Sequence, residues 1–369
     1  MPGGASRRAF LAGLALSLAA APRLAAVAQT RTPILDAHIH IARQLRAGEN
    51  IEGMAALALE EMDSFGIEKA ILGEAPLTAA LRRTYSLSQV IAVVQRQPRF
   101  GFTAGGDVLN SMLQETPAAP VTDEVQRRFT DAAELIASAG AAGFGELAAE
   151  HFSSGRGQMP YESSPPDHPL LLALADIAAR HSMPLELHME AVPRDMPTPP
   201  RSARPPNPSS LHENISAFER LLDHNTSARI VWVHAGWDIT GQRTVRLMRG
   251  LLGRHRNLFM TIKYDHFGTK LTAPFSSDSG GIRPGWIALL RDFPDRFMIG
   301  SDQFIGDDTE RFAGARRVVE ALPADLARPI ANENVKRIYR LGVAASVIAF
   351  PGTPSTSNAN VAGVRRHKP

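Results

Sequence analysis

The chain has 369 residues, 44% of them hydrophobic and 21% charged, which is enough apolar material for a large core and argues against wholesale disorder. A net charge of only +3, with no basic stripe interleaved with aromatics, removes nucleic acid from the expected partners. The absence of cysteine excludes disulfides, a thiol nucleophile, iron–sulfur clusters and thiolate zinc sites.

The chain opens with Ser6-Arg7-Arg8-Ala9-Phe10-Leu11, which is similar to a twin-arginine export motif. An apolar run over residues 9–21 follows, then the small residues Ala26-Val27-Ala28. The run is shorter than the ~20 residues a bilayer span requires, so residues 1–28 are expected to be a removed signal peptide rather than a stable membrane anchor. The mature protein is therefore expected to be periplasmic or secreted.

Past the leader, short apolar runs alternate with helical patterns. Strands are predicted over residues 34–40, 69–72, 100–104, 142–147, 184–189, 229–234, 258–263 and 296–301. Helices are predicted between them over 54–65, 122–137, 167–180, 215–222, 244–254 and 286–291. Thr122, followed by Asp123 and Glu124, carries a clear N-cap signal. Two helical stretches follow the last strand and end in Asn332-Glu333-Asn334-Val335-Lys336-Arg337-Ile338-Tyr339.

Eight strands alternating with helices predict an α/β fold, a (β/α)8 TIM-type barrel with long loops at its C-terminal rim, over residues 29–343. A doubly wound open sheet is the structural alternative. It would usually carry a Gly-rich turn after its first strand, and none is present. Residues 190–210, rich in Pro and Arg, are too long for an ordinary connection and read as a functional loop or a mobile insertion. Residues 344–369, rich in Ser, Thr, Pro and Asn, read as a disordered tail.

The chemistry sits at the strand ends. Side chains on a strand alternate, so Asp36, His38 and His40 are expected to share the face that points into the barrel, with Leu35, Ala37 and Ile39 facing the helices. His188 ends the fifth strand, His234 the sixth, and Asp302 follows the eighth. All lie where such barrels present active sites. Imidazoles with a carboxylate suit a divalent metal, zinc first, with manganese, iron(II) or nickel as alternatives.

The pieces Asp36-Ala37-His38-Ile39-His40, Gly143-Phe144-Gly145-Glu146-Leu147, Leu187-His188, Val233-His234-Ala235-Gly236 and Gly300-Ser301-Asp302, with the Asn332 to Tyr339 segment, resemble the amidohydrolase superfamily, in its amidohydrolase-2 branch. The resemblance spans about residues 33–341. It implies that His38, His40 and His188 are metal ligands, that His234 binds a second metal or orients substrate, and that Asp302 ligates metal and shuttles the proton. One position departs from the pattern. Many binuclear members carry a carboxylated lysine at the end of strand four, where this chain has Glu146. Glu146 reads as a carboxylate bridging two ions or as a supporting carboxylate behind one, so one or two ions are expected.

At least one of Lys263, Tyr264, Asp265 and His266, at or just after the end of strand seven, is expected to reach the pocket, and His151 after strand four reads as a substrate contact or an exposed loop residue. Arg194, Arg201 and Arg204 would attract an acidic substrate or simply solvate their loop. Glu186, deeper than His188, is placed to orient a ligand. The expected activity is hydrolysis of a small-molecule carboxylic ester, lactone or amide. Alternatives are a metal-dependent decarboxylase of the same branch, a phosphotriester hydrolase and, last, a binding protein. Assembly into a homo-oligomer is left open.

Overall fold

The structure, a computed structural model, describes residues 31–41, 45, 48–76, 85–153, 160–264, 271–275 and 280–341. The expected leader, Asp265, His266 and the expected tail over 344–369 lie outside the described residues.

Among the described residues, nine parallel strands form the main path of the central sheet: β1 (Ile34–Ile41), β2 (Ile67–Gly73), β3 (Phe100–Gly105), β4 (Gly143–His151), β5 (Pro184–Met189), β6 (Arg229–Ala235), β7 (Leu258–Ile262), β8 (Phe297–Ile299) and β9 (Gln303–Ile305), and the two-residue strand Glu162–Ser163 pairs antiparallel with β4. Their order in space is β8-β7-β6-β5-β4-β3-β2-β1-β9. The two ends of this order, β8 and β9, are successive pieces of one extended segment. β8 pairs with β7 and β9 pairs with β1. Between them the Asp302 amide donates to the His38 carbonyl at 2.8 Å, and the Ser301 amide donates to Asp36 Oδ1 at 2.9 Å. The sheet thus returns on itself, as a TIM-type barrel does.

The connecting segments are helical for local reasons. Helix Ile51–Phe65 starts where the Asn50 side chain accepts from the Gly53 amide and stops at Gly66, whose φ of +64° suits a residue without Cβ. Thr122 caps Asp123–Ser138 and Thr244 caps Val245–Arg254, each accepting an amide of the first turn. Leu87–Arg96 and Val108–Glu115 have no counterpart among the sequence-based expectations. The first does carry a sequence signal, the capping box of Ser86 and Gln89.

Apolar side chains divide into two main clusters. The larger lies between sheet and helices and includes Ile34, Ile39, Leu185, Leu187, Trp232 and Phe218. The second gathers Leu35, Ala37, Ile71, Val231, Val233 and Met298 from strands spread around the ring, with Val335, Ile338 and Tyr339 from the C-terminal segment. It fills the lower barrel interior. This corrects the expected alternation in β1. Ile39 does face the helices, but Leu35 and Ala37 point inward. The β1–β2 ladder shifts register between Asp36 and Ile39, and such an irregularity changes the phase of alternation.

Residues 190–210 fold back on themselves through a short antiparallel pair, Met196–Pro197 with Ser210–Leu211. Asn207 fastens them to the end of β4, exchanging hydrogen bonds with the Ser153 backbone. Arg194, Arg201 and Arg204 are exposed there. Among the described residues, no helix is long and apolar enough to cross a membrane.

Candidate metal centre

Six potential ligands converge at the C-terminal rim. β1 brings His38 and His40, β4 Glu146, β5 His188, β6 His234, and the link between β8 and β9 brings Asp302. All six are buried. His40 Nε2 lies 3.1 Å from Asp302 Oδ1. Glu146 sits among the imidazoles. Its Oε1 is 2.7 Å from His188 Nδ1 and 2.9 Å from His234 Nε2, and its Oε2 is 3.5 Å from His38 Nε2 and 3.6 Å from His40 Nε2. Donor atoms of His38, His40 and Asp302 all lie within 4.8 Å of one another, as do those of His38, Glu146 and His234.

The backbone bends to achieve this. Four non-glycine residues among those described have positive φ, and two of them are His234 at +68° and Asp302 at +60°. Such residues cluster at functional sites because the surrounding structure must hold them there, at about 1–3 kcal/mol each.

Groups behind the imidazoles fix their orientation. His40 Nδ1 is 2.9 Å from the Gly73 carbonyl, which can only accept, so this nitrogen carries the hydrogen and Nε2 presents a lone pair to the site. His38 Nδ1 lies 2.9 Å from Glu186 Oε2, and the Tyr339 hydroxyl donates to Glu186 Oε1 at 2.6 Å. Glu186 therefore stands against His38 Nδ1. Tyr339 completes the chain from the C-terminal segment, which sequence spacing could not reveal. Supporting carboxylates of this kind typically contribute 10–100-fold to metal affinity. Glu186→Gln is accordingly expected to weaken divalent-metal binding by about 10–100-fold while the barrel stays folded, measured by titration against a competing chelator. Unchanged affinity would show that His38 needs no such partner.

The electrostatics favour a cation. Burial pushes the Glu146 carboxyl up, but His38, His188 and His234 outweigh it and hold the group well below the usual range. Burial lowers the His38 imidazole, yet Glu186 and Glu146 bring it well above its ordinary value. Asp302 is also held well below the carboxylate range against its burial, by Lys263 first and then Arg311. Burial keeps His234 well below the imidazole range, so it is neutral and available as a ligand. Among the described residues, His38 Nε2 and His234 Nδ1 at the centre are buried without a hydrogen-bond partner. Buried polar atoms rarely stay unpaired, and a donor set of four imidazoles and two carboxylates around an orphaned His38 Nε2 fits a divalent metal.

The expected substrate contacts fall in different places. Lys263 is 2% exposed, and its Nζ donates to Asp302 Oδ2 at 2.6 Å beneath the Trp237 ring, 3.8 Å from the ring centroid. Tyr264, next along the chain, turns to the other side and packs on Phe275, with ring centroids 4.5 Å apart. The His151 ring lies 4.5 Å from that of His188, at the edge of the centre. Arg311, on helix Glu310–Ala321, was not anticipated. Its Nη1 reaches Asp302 Oδ2 at 3.0 Å, and nothing in the local sequence marks it.

No family model matches the chain, and no curated protein matches it. Several solved structures are similar. One is a 2,6-dihydroxybenzoate decarboxylase in complex with 2,6-dihydroxybenzoate, 16% identical with a TM-score of 0.47, covering 84% of this chain and 99% of that one. Another is an amidohydrolase 2 from Bifidobacterium longum subsp. infantis, 11% identical with a TM-score of 0.44, covering 84% and 99%. A third is a dihydroorotase from Campylobacter jejuni, 12% identical with a TM-score of 0.43, covering 84% of each chain.

Proposed function

We propose that this chain is a metal-dependent hydrolase acting on a carboxylic ester, lactone or amide of a small molecule. The observation that carries the reading is the convergence of four imidazoles and two carboxylates, all buried, at the C-terminal ends of the barrel strands. His38, His40 and Asp302 would hold one divalent ion, with zinc the first choice. His188 and His234 would hold a second, with Glu146 between them. In support, Glu146 turns Oε1 to His188 and His234 and Oε2 to His38 and His40. When bound, divalent metal supplies Lewis acidity toward a carbonyl oxygen and makes water nucleophilic near neutral pH.

The chain's own residues do the rest. Asp302, kept ionised by Lys263 and Arg311, accepts a proton from the attacking water and returns it to the leaving group. Lys263 and Arg311 both hold Oδ2, which leaves Oδ1 turned toward His40. Neutral His234 is placed to ligate, or to donate a hydrogen bond to the substrate oxygen should one ion suffice.

Metal analysis of protein purified without chelator or added metal tests this reading, followed by a panel of esters, lactones and amides monitored for both acid and CO2 release. Stoichiometric metal and acid release without CO2 are the expected results. Metal-free protein that hydrolyses the panel would sink the metal-dependent reading, and CO2 release would replace hydrolysis with decarboxylation. The role of Glu146 has its own test. Wild type is expected to bind about two equivalents of metal, as a bridged pair requires, and Glu146→Gln is expected to lose one of them. Saturation at one equivalent in both proteins would make Glu146 a supporting carboxylate.

Export is proposed on the residues of the leader alone. Replacing Arg7 and Arg8 by lysine is expected to trap precursor in the cytoplasm, read by fractionation and immunoblotting. Normal export of that variant would remove the twin-arginine reading.

A further inference from the structure

β6 ends against its own alternation. Val231 and Val233 point into the barrel, packing with Leu35, Ile71 and Met298. Trp232 points outward, to the helix side, where its ring centroid is 5.1 Å from that of Phe218. In phase, His234 would follow Trp232 outward, away from Glu146. Instead His234 takes a φ of +68°, and its Nε2 comes within 2.9 Å of Glu146 Oε1. At the same place the β6–β7 ladder loses register, between Met260 and Ile262.

A break of this kind takes Val233 and His234, the residues between the registered pairs at Trp232 and Ala235, out of the regular ladder pattern. One side chain binds the backbone there. The buried Arg243 guanidinium donates through Nη2 to the Trp232 carbonyl at 2.7 Å and through Nη1 to the Val233 carbonyl. Its plane lies over the Trp232 ring, with Cζ 3.8 Å from the centroid. The Arg243 amide is itself held by Asp238 Oδ2 at 2.8 Å. On the other side of the turn, Thr261 Oγ1 accepts the His234 amide at 3.0 Å. Burying a guanidinium is costly, and burial pulls Arg243 down to about 9 although Asp238 and Glu190 oppose it. A rigid planar fork that stacks and binds two successive carbonyls is something lysine cannot reproduce.

We propose that Arg243 is a positioning residue for His234. By binding the carbonyls of Trp232 and Val233 it locks the left-handed turn that swings the imidazole from the helix side into the metal centre. The inference rests on the proposed metal-site reading for what His234 does, but not for where its ring lies.

The test therefore uses two readouts on the full chain. In metal-free protein with 15N-labelled histidine, the His234 ring resonances are assigned by their loss in His234→Ala. Arg243→Lys is expected to move them while leaving those of the surface residues His181 and His224 in place. In a cobalt(II) titration, Arg243→Lys is expected to weaken binding by about tenfold or more, the scale of lost ligand support. It should cause no further loss in the His234→Ala background, because both changes then act through one residue. Unmoved His234 resonances, or losses that add, would overturn the proposal. A folded wild type that binds no cobalt(II) would overturn the metal-site reading, and the ring resonances would still decide Arg243. If circular dichroism shows Arg243→Lys unfolded, Arg243→Gln, whose amide can serve one carbonyl, takes its place in both measurements.

Discussion

Protein carrying alanine at both His38 and His40 is expected to lose its bound metal and all measurable turnover, yet to fold. The two imidazoles come from one strand and face both other parts of the centre. His38 approaches Glu146 Oε2, and His40 approaches Glu146 Oε2 and Asp302 Oδ1. Removing both leaves Asp302 as the only remaining member of the group formed by His38, His40 and Asp302. The structural cost is limited. The Gly73 carbonyl loses its side-chain donor, while Glu186 keeps the Tyr339 hydroxyl. An unsatisfied buried group costs about 1–3 kcal/mol, less than the ~5–15 kcal/mol that stabilises a typical domain. Metal analysis, circular dichroism and the substrate panel check this together. A double variant that keeps full metal and full turnover would remove this centre as the site of chemistry.

Asp302→Asn should produce the second large effect. The amide keeps the shape of the carboxylate but cannot accept a proton comparably. Turnover is expected to fall by about 10²–10⁴-fold, the usual scale for losing a general base. The substitution also removes the negative charge that Lys263 and Arg311 share at Oδ2, leaving two cations side by side. Metal affinity is therefore expected to fall as well, and a separate titration divides the two effects: turnover measured at saturating metal reports the proton role alone. Near-normal turnover with metal retained would move the base elsewhere, with Glu146 the first candidate.

Local pattern was sufficient for much of the molecule. The fifth strand, residues 184–189, was legible to the residue, and every strand of the ring falls on a run of apolar or alternating residues, because strand periodicity is written in neighbouring positions. The strand-end histidines His188 and His234 were legible for the same reason. Once the strands are placed, a barrel's geometry carries their ends to one rim. What the sequence could not state is anything set by contacts between distant segments or by the sign of one dihedral. The Tyr339–Glu186–His38 chain joins residues from the C-terminal segment, β5 and β1. Arg311 meets Asp302 because helix Glu310–Ala321, whose apolar face packs in the sheet–helix core, begins beside the rim. The phase of β1 and the inward turn of His234 were decided by register shifts in β1–β2 and β6–β7, which no local alternation encodes. Histidine is among the residue types enriched at positive φ, but its identity alone does not say that a given one sits at +68°. Only the packed tertiary structure, through Arg243 and Thr261 in this case, can hold it.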